Sequence, residues 1–431
     1  MPDPSSLYIS ADYRPRESLA VRASADGIPA TPTGPRADQS TFASTLGGNK
    51  PPAYISNDVD TTITARFARV SLTGNGEFSQ VYRVQDPLVS GIALPSRGNP
   101  AARIWAVKKS RKQYLGNRDR MRKLKEVSIL RALRGNEHIL EFIESWEAES
   151  HLYIMTEYCE NGNLKDFLLQ AGFKSRLDDF RIWKILLELA QGVKAIHDAN
   201  YMHLDLKPAN VFIDWEGVLK IGDFGMASEW PAPADFEGEG DREYIGPEVL
   251  YGKVEKASDV FALGMIVLET AGNIVLPDNG LSWQRLRAGD LSDLPSLTWT
   301  SESSLNRDEH GNPLDTPESS REAFSSYPDE RSDDLGFLRP VEAGKCRNTC
   351  RDLVTPPNFM VDQTDPDSLE NVVQWMIKPD PARRPTVDQL LMTGGVQWVD
   401  KRRRSGATIY EGSWGPADAV VTPQDVEMVD V

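Results

Sequence analysis

One stretch of this chain constrains its fold more than any other, and it reads HLDLKPAN over residues 203–210. Six shorter elements accompany it in a set order along the chain. They are a glycine-containing turn at 74–81, Lys108, Glu126, the triplet DFG at 223–225, the triplet GPE at 246–248, and Asp259 with Gly264. Each element alone says little, because turn glycines and solvated charges are common on any protein surface. Their shared order and compatible spacings are too specific to be coincidence.

Hydrophobic patterning divides the chain into two regions of different secondary structure. β-Branched and aromatic residues alternate between turns over residues 64–160, whereas helical periodicity dominates from residue 161 onward. We predict strands at 66–70, 81–84, 104–108 and 152–155, and helices at 117–134, 178–197, 257–271, 368–377 and 386–391. The sequence therefore predicts an α+β fold in which a small β-rich unit with one main helix precedes a larger helical unit.

Charge and composition exclude several functional classes. The 431 residues carry 48 Lys and Arg against 64 Asp and Glu, and the formal net charge of −16 disfavours nucleic-acid binding. The N-terminus lacks a basic and apolar leader, and no apolar run reaches the ~20 residues of a membrane-spanning helix. Three cysteines are too few for a disulfide framework. We therefore expect a soluble intracellular protein that binds neither nucleic acid nor membrane.

Segments without periodicity lie outside the patterned regions. Residues 296–362 carry a net charge of −6 and residues 405–431 one of −5, so much of the acidity lies there. We expect a disordered N-terminal arm at 1–62, an N-lobe at 63–158, the first part of a C-lobe at 159–295, a disordered acidic insert at 296–362, final C-lobe helices at 363–404 and an acidic tail at 405–431.

The ordered motifs resemble the signature set of the eukaryotic protein kinases over residues 64–295 and 363–400. The resemblance implies a bilobal kinase fold that uses ATP and Mg²⁺. Phosphoryl transfer asks for little covalent chemistry, so positioning and charge neutralisation carry most of the catalysis. In the glycine-containing turn, Ser79 occupies the place of the third glycine, where a left-handed backbone would be mildly strained.

The same resemblance implies roles for individual residues. Asp205 accepts or orients the proton of the substrate hydroxyl, and Lys207 steadies the γ-phosphoryl group. Lys108 contacts the α- and β-phosphates of ATP and pairs with Glu126. The implied Mg²⁺ ligands are Asn210 and Asp223. The implied nucleotide-binding residues are Gly74, Asn75, Gly76, Glu77, Phe78, Ser79, Val81, Ala106, Lys108, Thr156, Glu157, Cys159 and Phe212.

Motifs outside this common set resemble the Wee family, whose members phosphorylate a tyrosine in the glycine-rich loop of cyclin-dependent kinase. They read GEF at 76–78, ESW at 144–146, EYC at 157–159, EGDREY at 239–244, LPDNG at 276–280 and RRRSGATIYEG at 402–412. The resemblance implies a monomeric enzyme that delays mitotic entry, with cyclin-bound cyclin-dependent kinase as its partner. It also implies a nuclear location that extends to the cytoplasm. The basic run at 401–404 is either a nuclear import signal or the solvated end of the last helix.

The stretch at 203–210, which we call the catalytic loop, leaves open which amino acid receives the phosphate. Lys207 gives the loop its serine/threonine-kinase form, and ordinary tyrosine kinases lack a lysine there. The loop alone predicts serine or threonine as the acceptor, whereas the Wee resemblance predicts tyrosine. One alternative is a Ser/Thr kinase related to those that act on translation initiation factor two, which share the pair Ser145-Trp146. Another is a pseudokinase scaffold that binds partners without transferring phosphate.

The residue before Asp205 predicts how the activation segment is regulated. It is Leu204, where many kinases have an arginine that grips a phosphate on the segment between residues 223 and 248. We hypothesise that the segment is held by its own charges and hydrogen bonds. Activity would then need no activating phosphorylation.

Overall fold

Five antiparallel strands form a sheet in the first part of the fold. Our computed structural model describes residues 60–92, 103–298 and 357–401, apart from positions 77, 175–176, 178, 234–235, 237, 239, 293 and 295. The strands are β1 (Phe67–Asn75), β2 (Ser79–Pro87), β3 (Ile104–Ser110), β4 (Phe142–Ala148) and β5 (His151–Glu157), and their order in the sheet is β1-β2-β3-β5-β4. A short helix, α1 (Thr61–Thr64), precedes the sheet, and a long one, α2 (Asn117–Ala132), connects β3 to β4.

The period of two along these strands explains how the sheet is buried on both faces. Tyr82 and Val84 of β2 pack with Tyr153 of β5 in an apolar cluster on one face. Leu152 and Ile154 alternate with Tyr153 along β5 and belong to a second cluster, which includes the buried side of α2. The second cluster continues into the helical part of the fold. Helix α2 therefore packs against the five-stranded sheet and also against the helical part of the fold.

Helices dominate the second part of the fold. They are α3 (Leu164–Lys174), α4 (Asp179–Asp198), α5 (Lys256–Gly272), α6 (Gly280–Arg287), α7 (Asn358–Val361), α8 (Leu369–Met376), α9 (Val387–Leu391) and α10 (Gly394–Asp400). Short strands β6 (Tyr201–Met202), β7 (Val211–Ile213), β8 (Leu219–Ile221) and β9 (Ser228–Glu229) form two small sheets, in which β6 pairs with β9 and β7 with β8. None of the described helices is both long and apolar enough to cross a membrane.

A close helix approach and a buried ion pair hold the helical lobe together. A Cβ at Gly264 in α5 would lie 2.7 Å from a methyl group of Ile377 at the end of α8, so only glycine fits there without a shift. Glu248 and Arg384 form a bidentate ion pair with nitrogen–oxygen distances of 2.6 and 2.7 Å.

The predicted α+β fold class is confirmed, with a β-rich N-lobe followed by a mostly helical C-lobe. Every predicted strand and helix occurs, with its ends displaced by a few residues. Four elements of seven or more residues, β4, α3, α6 and α10, were not predicted. Two glutamates and a serine interrupt the apolar alternation of β4, which reads FIESWEA, so its sequence does not look like a strand.

The N-lobe begins earlier in the chain than predicted. The carboxylate of Asp60 accepts hydrogen bonds from the amides of Thr62 and Ile63 at 2.9 and 3.1 Å and so caps α1. The Tyr153 hydroxyl donates to the same carboxylate at 3.0 Å, and Lys109 forms an ion pair with it. The predicted end of the arm therefore lies too far along the chain.

Both predicted boundaries of the acidic insert also differ from the structure. The Thr298 amide donates to the carboxylate of Glu370 in α8 at 2.6 Å. Phe359 of α7 packs edge-on against Trp183 of α4, with ring centroids 5.2 Å apart. The two ends of the predicted insert are therefore part of the C-lobe. The rest of the arm, the insert and the tail lies outside the described residues.

Candidate active site

A buried carboxylate fixes the backbone of the loop at 203–210. Asp259 of α5 accepts hydrogen bonds from the amides of His203 and Leu204 at 2.9 and 2.8 Å, and it pairs with the His197 ring at 2.9 Å. Burial raises the pKa of a carboxyl, but these partners hold the pKa of Asp259 below its usual value. Leu204 adopts a φ of +61°, which is rare for leucine and is maintained by this network. Asp259 therefore supports the backbone of this loop.

Three predicted site residues meet at the carboxylate of Asp205. Asn210 Nδ2 donates to one of its oxygens at 2.9 Å, and Lys207 Nζ lies 3.3 Å from the same oxygen. Burial raises the pKa of Asp205, although Lys207 and Asn210 act in the opposite direction. A carboxylate whose pKa is raised in this way is a better proton acceptor than an ordinary surface aspartate.

Lys207 has a second partner that the sequence did not reveal. Its Nζ lies 3.2 Å from a carboxylate oxygen of Asp241. Burial lowers the pKa of Lys207, but the carboxylates of Asp205 and Asp241 outweigh it and the net shift is upward. Lys207 is therefore a fixed cation between two carboxylates. The motif EGDREY at 239–244 contains the aspartate, but nothing in the motif indicates a contact with Lys207.

Lys108 of β3 also lies between two carboxylates, which come from different elements. Its Nζ is 2.7 Å from Glu126 of α2 and 2.7 Å from Asp223 in the loop after β8. Burial opposes the charge of Lys108, but the two carboxylates raise its pKa, and Lys108 in turn lowers the pKa of Asp223 to about 2. Burial raises the pKa of Glu126 against the pull of Lys108. The predicted pair of Lys108 and Glu126 is thus formed, and Asp223 joins it to the C-lobe.

Phe224 orients the neighbouring Asp223. Its ring is 1% exposed and packs edge-on against the His203 ring, with centroids 5.0 Å apart. Asp223 itself has a φ of +59°, so the chain turns sharply between the two residues. The turn sends the phenyl ring into the core and the carboxylate toward Lys108.

The glycine-containing turn connects β1 to β2. The Gly76 amide donates to the Ser79 carbonyl at 2.9 Å and closes the turn. A Cβ at Gly74 would come within 3.3 Å of the Val81 Cβ, so a larger residue there would crowd the place where β1 pairs with β2. The strain expected at Ser79 does not arise, because Ser79 begins β2 and does not adopt a positive φ.

The tip of this turn is open to solvent. Phe78 is 77% exposed, and its carbonyl accepts a hydrogen bond from the Arg111 amide at 2.9 Å. The side chain of Asn75 accepts from the Arg111 guanidinium at 2.6 Å. Glu77, another predicted member of the nucleotide site, lies outside the described residues.

The predicted adenine-binding residues come from both lobes. Val81 lies on β2 and Ala106 on β3, and Ala106 stands opposite the buried Thr156 of β5. Phe212 lies on β7 in the C-lobe. Its ring packs against Gly222, where an added Cβ would lie only 2.8 Å from a ring carbon. The N-lobe sheet and the β7–β8 sheet thus contribute the apolar residues expected on the two faces of a purine.

Glu157 and Cys159 lie in the hinge, the segment that joins β5 to the C-lobe. The Glu157 amide donates to the Glu141 carbonyl at 3.0 Å, so this amide is already occupied. The Glu157 carbonyl accepts a hydrogen bond from the Thr156 hydroxyl at 3.0 Å and keeps a second lone pair. The hinge contact predicted for Glu157 is therefore limited to its carbonyl.

The Glu157 side chain belongs to a buried network that was not predicted. Lys220 Nζ of β8 lies 3.2 Å from the Glu157 carboxylate and 3.9 Å from that of Asp214. Burial raises the pKa of Glu157 and of Asp214, while Lys220 opposes both shifts. The network connects the hinge to the β7–β8 sheet. Its sequence signal is a lysine inside the apolar run that leads into DFG.

The activation segment approaches the catalytic loop through a glycine. Gly240 has a φ of +71°, and a Cβ there would lie 2.6 Å from the Leu204 carbonyl oxygen. Further along the segment, the Tyr244 hydroxyl donates to the carboxylate of Glu269 in α5 at 2.7 Å. No cationic side chain is needed at Leu204 for these contacts, in line with our hypothesis on phosphorylation.

Side chains of helix α6 hold the same segment by donating hydrogen bonds to the segment's backbone carbonyls. Trp283 Nε1 donates to the Arg242 carbonyl at 2.8 Å, and the Arg287 guanidinium donates to the carbonyls of Arg242 and Glu243 at 2.6 and 2.9 Å. Arg287 also stacks over the Trp283 ring, 4.4 Å from its centroid. Helix α6 therefore fixes this part of the segment through neutral carbonyl acceptors.

Asn210 and Asp223 offer the oxygen donors that a hard divalent cation takes. Asn210 Nδ2 is bonded to the backbone carbonyl and the carboxylate of Asp205 at 2.8 and 2.9 Å, which turns its Oδ1 away from Asp205. In the described part of the chain, no group of three or more His, Cys, Asp or Glu could hold a metal. The two residues therefore fit a cation whose remaining ligands are phosphate and water oxygens, as is usual for Mg²⁺.

Comparison with known proteins agrees with this geometry. A family model described as "Protein kinase domain" matches residues 67–394, which contain the whole of the site. The chain is similar to the mitosis inhibitor protein kinase wee1 of Schizosaccharomyces pombe, with 44% identity over 384 residues that cover 88% of this chain and 37% of that protein. It is 37% identical over 399 residues to the mitosis inhibitor protein kinase SWE1 of Saccharomyces cerevisiae, covering 84% of this chain and 47% of that protein.

A more distant relative carries a more explicit description. It is the membrane-associated tyrosine- and threonine-specific cdc2-inhibitory kinase of Drosophila melanogaster, which is 30% identical over 341 residues, covering 79% of this chain and 49% of that protein. The chain thus spans less than half the length of each of these three relatives.

Proposed function

This chain belongs to the protein kinase family, and from that premise we propose that it is a Wee-type kinase that phosphorylates a tyrosine in the glycine-rich loop of cyclin-dependent kinase. The observation that carries the proposal is its 44% identity, over 88% of its length, to a mitosis inhibitor kinase. The bonded sets Lys108–Glu126–Asp223 and Asp205–Lys207–Asn210 support an active enzyme.

The proposed reaction joins the oxygen of the substrate hydroxyl to the γ-phosphorus of ATP. The bond between the γ-phosphorus and the oxygen shared with the β-phosphate breaks, and its electron pair leaves with ADP. The hydroxyl proton passes to Asp205, whose raised pKa suits it to accept one. Lys207 faces the transferred group, and Lys108 neutralises charge on the α- and β-phosphates.

Protein kinases use ATP together with a divalent metal, and we propose Mg²⁺ as the metal here. Asn210 and Asp223 are the residues that would hold it. When bound, the ion neutralises negative charge on the phosphate oxygens. The depressed pKa of Asp223 keeps its carboxylate anionic at neutral pH.

Tyrosine is the acceptor that we propose, in spite of the serine/threonine form of the loop. Lys207 is bonded on one side to Asp205 and on the other to Asp241, so the arrangement around it is not that of a lysine with a single partner. The similarity to the Drosophila kinase, which is tyrosine- and threonine-specific by name, supports the choice.

The two alternatives are less well supported. A kinase of the translation-initiation-factor-two type would share Ser145 and Trp146, but the relatives named above are kinases that inhibit mitosis or cdc2. A pseudokinase scaffold would not need the Lys108 pair and the Asp205 cluster, both of which are formed.

The biological setting follows from the same proposal. We propose that the enzyme acts as a monomer on the cyclin-bound form of its substrate, and that it works in the nucleus with access to the cytoplasm. The basic run at 401–404 supports nuclear import. Replacing Arg402, Arg403 and Arg404 with glutamine in a fluorescent fusion would test the location and leave Lys401, which caps α10, in place.

A kinase assay on cyclin-bound cyclin-dependent kinase tests the proposed function. The purified protein is incubated with this substrate, ATP and Mg²⁺, and the modified residue is mapped by mass spectrometry. We expect phosphotyrosine in the glycine-rich loop of the substrate, and far less of it with the Asp205→Asn variant. Phosphoserine as the only product would reject the Wee-type assignment but keep a kinase.

A further inference from the structure

Apart from Lys108, a long positively charged stretch of the chain has no role in the chemistry above. Residues 103–134 contain twelve Lys and Arg against two Asp and Glu, a net charge of +10 within a chain whose net charge is −16. These residues lie on β3, on α2, in the loop between them and directly after α2. The rest of the chain therefore carries −26.

Part of this positive charge is used inside the N-lobe. Lys109 pairs with Asp60, and the Arg120 guanidinium pairs with both carboxylate oxygens of Glu147, at 2.6 and 2.7 Å. Others have no such partner: within the described ranges, no carboxylate forms an ion pair with Arg111, Lys112, Arg131 or Arg134. A positive surplus is therefore left on the surface.

Four exposed cations of this stretch lie where the loop meets the first turns of α2. We call the exposed residues there the basic patch: Arg111, Lys112, Leu115, Arg118, Met121 and Arg122. Lys123 Nζ donates to the Lys112 carbonyl at 3.0 Å and ties the loop to the helix. Leu115 is 88% exposed and Met121 is 58% exposed, so two large apolar side chains stand among the cations.

The basic patch does not stabilise the helix on which it lies. Arg118 and Arg122 occupy the first two turns of α2, where the helix dipole already presents partial positive charge, so cations there are unfavourable. The N-cap, Gly116, makes no side-chain capping hydrogen bond. Asp119 is the one acidic residue in this first turn, and it is engaged by Arg122 at 2.9 Å and Lys123 at 3.4 Å. A bound anion would relieve this excess of positive charge.

We propose that the basic patch docks an acidic segment of a partner protein. Carboxylates or phosphorylated side chains of that segment would pair with Lys112, Arg118 and Arg122, while an apolar residue of the segment would cover Leu115 or Met121. A long polyanion such as a nucleic acid fits less well, because the −26 on the rest of the chain repels it and phosphates offer nothing to the two apolar side chains. A short acidic peptide satisfies both features.

The location of the patch says where a docked protein would lie. Arg111 contacts both Asn75 and the carbonyl of Phe78, so the patch adjoins the tip of the glycine-containing turn. A segment bound there lies beside the opening of the nucleotide cleft. Docking would therefore raise the local concentration of the partner near the site of transfer.

Fluorescence anisotropy with a short labelled peptide of aspartate, glutamate and leucine tests this proposal. A peptide with asparagine and glutamine in place of the acids is the neutral control. We expect the variant Lys112→Glu/Arg118→Glu to bind the acidic peptide at least about tenfold more weakly than the unmodified chain does. Its dependence on salt concentration should be weaker too, because fewer ion pairs form.

A matched variant separates the patch from net charge. Lys253→Glu/Arg383→Glu makes the same change in charge on exposed residues of the C-lobe and should bind the acidic peptide as the unmodified chain does. Lys112→Gln/Arg118→Gln provides a milder change if charge reversal impairs folding, and activity on a small neutral peptide reports an intact active site. Equal weakening by both reversals, or no weakening by either, would overturn the proposal. Tighter binding of a single-stranded oligonucleotide than of the acidic peptide would also overturn it.

Discussion

Lys220 and Glu157 form an ion pair between β8 and the hinge, with 3.2 Å between the nitrogen and the carboxylate oxygen and side chains only 3% and 2% exposed. The Glu141 amide donates to the same carboxylate at 2.8 Å. The Glu157 charge depends on Lys220 at this place, since an isolated buried charge is strongly unfavourable. The position of the hinge relative to the β7–β8 sheet therefore depends on this pair.

Replacing Lys220 with methionine should destabilise the protein by about 3–5 kcal/mol, because Glu157 would be left buried without a counter-charge. Urea unfolding measures the loss. The double variant Lys220→Met/Glu157→Gln should regain part of it, since the amide carries no charge. A single variant as stable as the unmodified protein would show that the pair contributes nothing.

Asp205→Asn should lower kcat by roughly 10²–10⁴, because the amide cannot accept the hydroxyl proton. The affinity for ATP, measured by titration calorimetry, should change little, since the nucleotide-binding residues stay in place. Turnover equal to that of the unmodified enzyme would contradict the role assigned to Asp205.

Lys207→Met should move the acid limb of the pH–rate profile to higher pH. Lys207 lowers the pKa of Asp205, so its removal lets burial raise that pKa further. The carboxylate is active only when deprotonated, and activity should therefore be lost at a higher pH as the solution is acidified. The control is Lys207→Arg, which keeps the cation. Profiles of kcat against pH that coincide for all three proteins would contradict this coupling.

Gly240→Ala should impair catalysis far more than Gly252→Ala. Both glycines have nearly the same backbone conformation, with φ of +71° and +69°. The left-handed conformation costs an alanine about 1–2 kcal/mol at either position. Only at Gly240 would the new Cβ also meet the Leu204 carbonyl, at 2.6 Å, whereas no atom lies within 4 Å at Gly252.

The expected loss of kcat for Gly240→Ala is of the order of tenfold to a hundredfold, because the catalytic loop must shift. Gly252→Ala should keep full activity in the same assay. Its stability should still fall by about 1–2 kcal/mol, which is what the left-handed backbone costs an alanine. Equal kinetics for the two variants would mean that the close contact with Leu204 has no catalytic consequence.

Phosphatase-treated enzyme should be as active as untreated enzyme. The activation segment is held by Trp283, Arg287 and Gly240, and none of these contacts requires a phosphate. Trp283→Ala should lower kcat/KM for the protein substrate, because it removes one donor and one stacking surface from this support. Activity that disappears on dephosphorylation and returns with a kinase would refute the hypothesis.

Sequence patterns were sufficient wherever a residue belongs to a chain-wide motif or a clear period. The order of motifs led to Lys108, Glu126, Asp205, Asn210 and Asp223, and the structure places them in two bonded clusters. Helices with a long apolar face were found with small errors at their ends. These features are encoded locally, so one chain suffices to recognise them.

Contacts between distant charged residues could not be read from the sequence. Lys220 pairs with Glu157 and Lys207 with Asp241, across separations along the chain that no periodicity connects. Each of these residues resembles a solvated surface charge until its burial is known. Strand β4 was missed for a similar reason, since its glutamates interrupt the apolar alternation by which a strand is predicted.

Hydrogen bonds join the two places in the C-lobe where the acidic insert begins and ends. Gln363 Nε2 donates to the Ser296 hydroxyl at 2.6 Å, and Ser296 and Thr298 both donate to Glu370. Because the two anchor points are fixed to each other, a longer flexible loop inserted between them would add little closure entropy, about 0.6 kcal/mol for each doubling of loop length. This place can accordingly lengthen, shorten or accept a foreign domain at little thermodynamic expense.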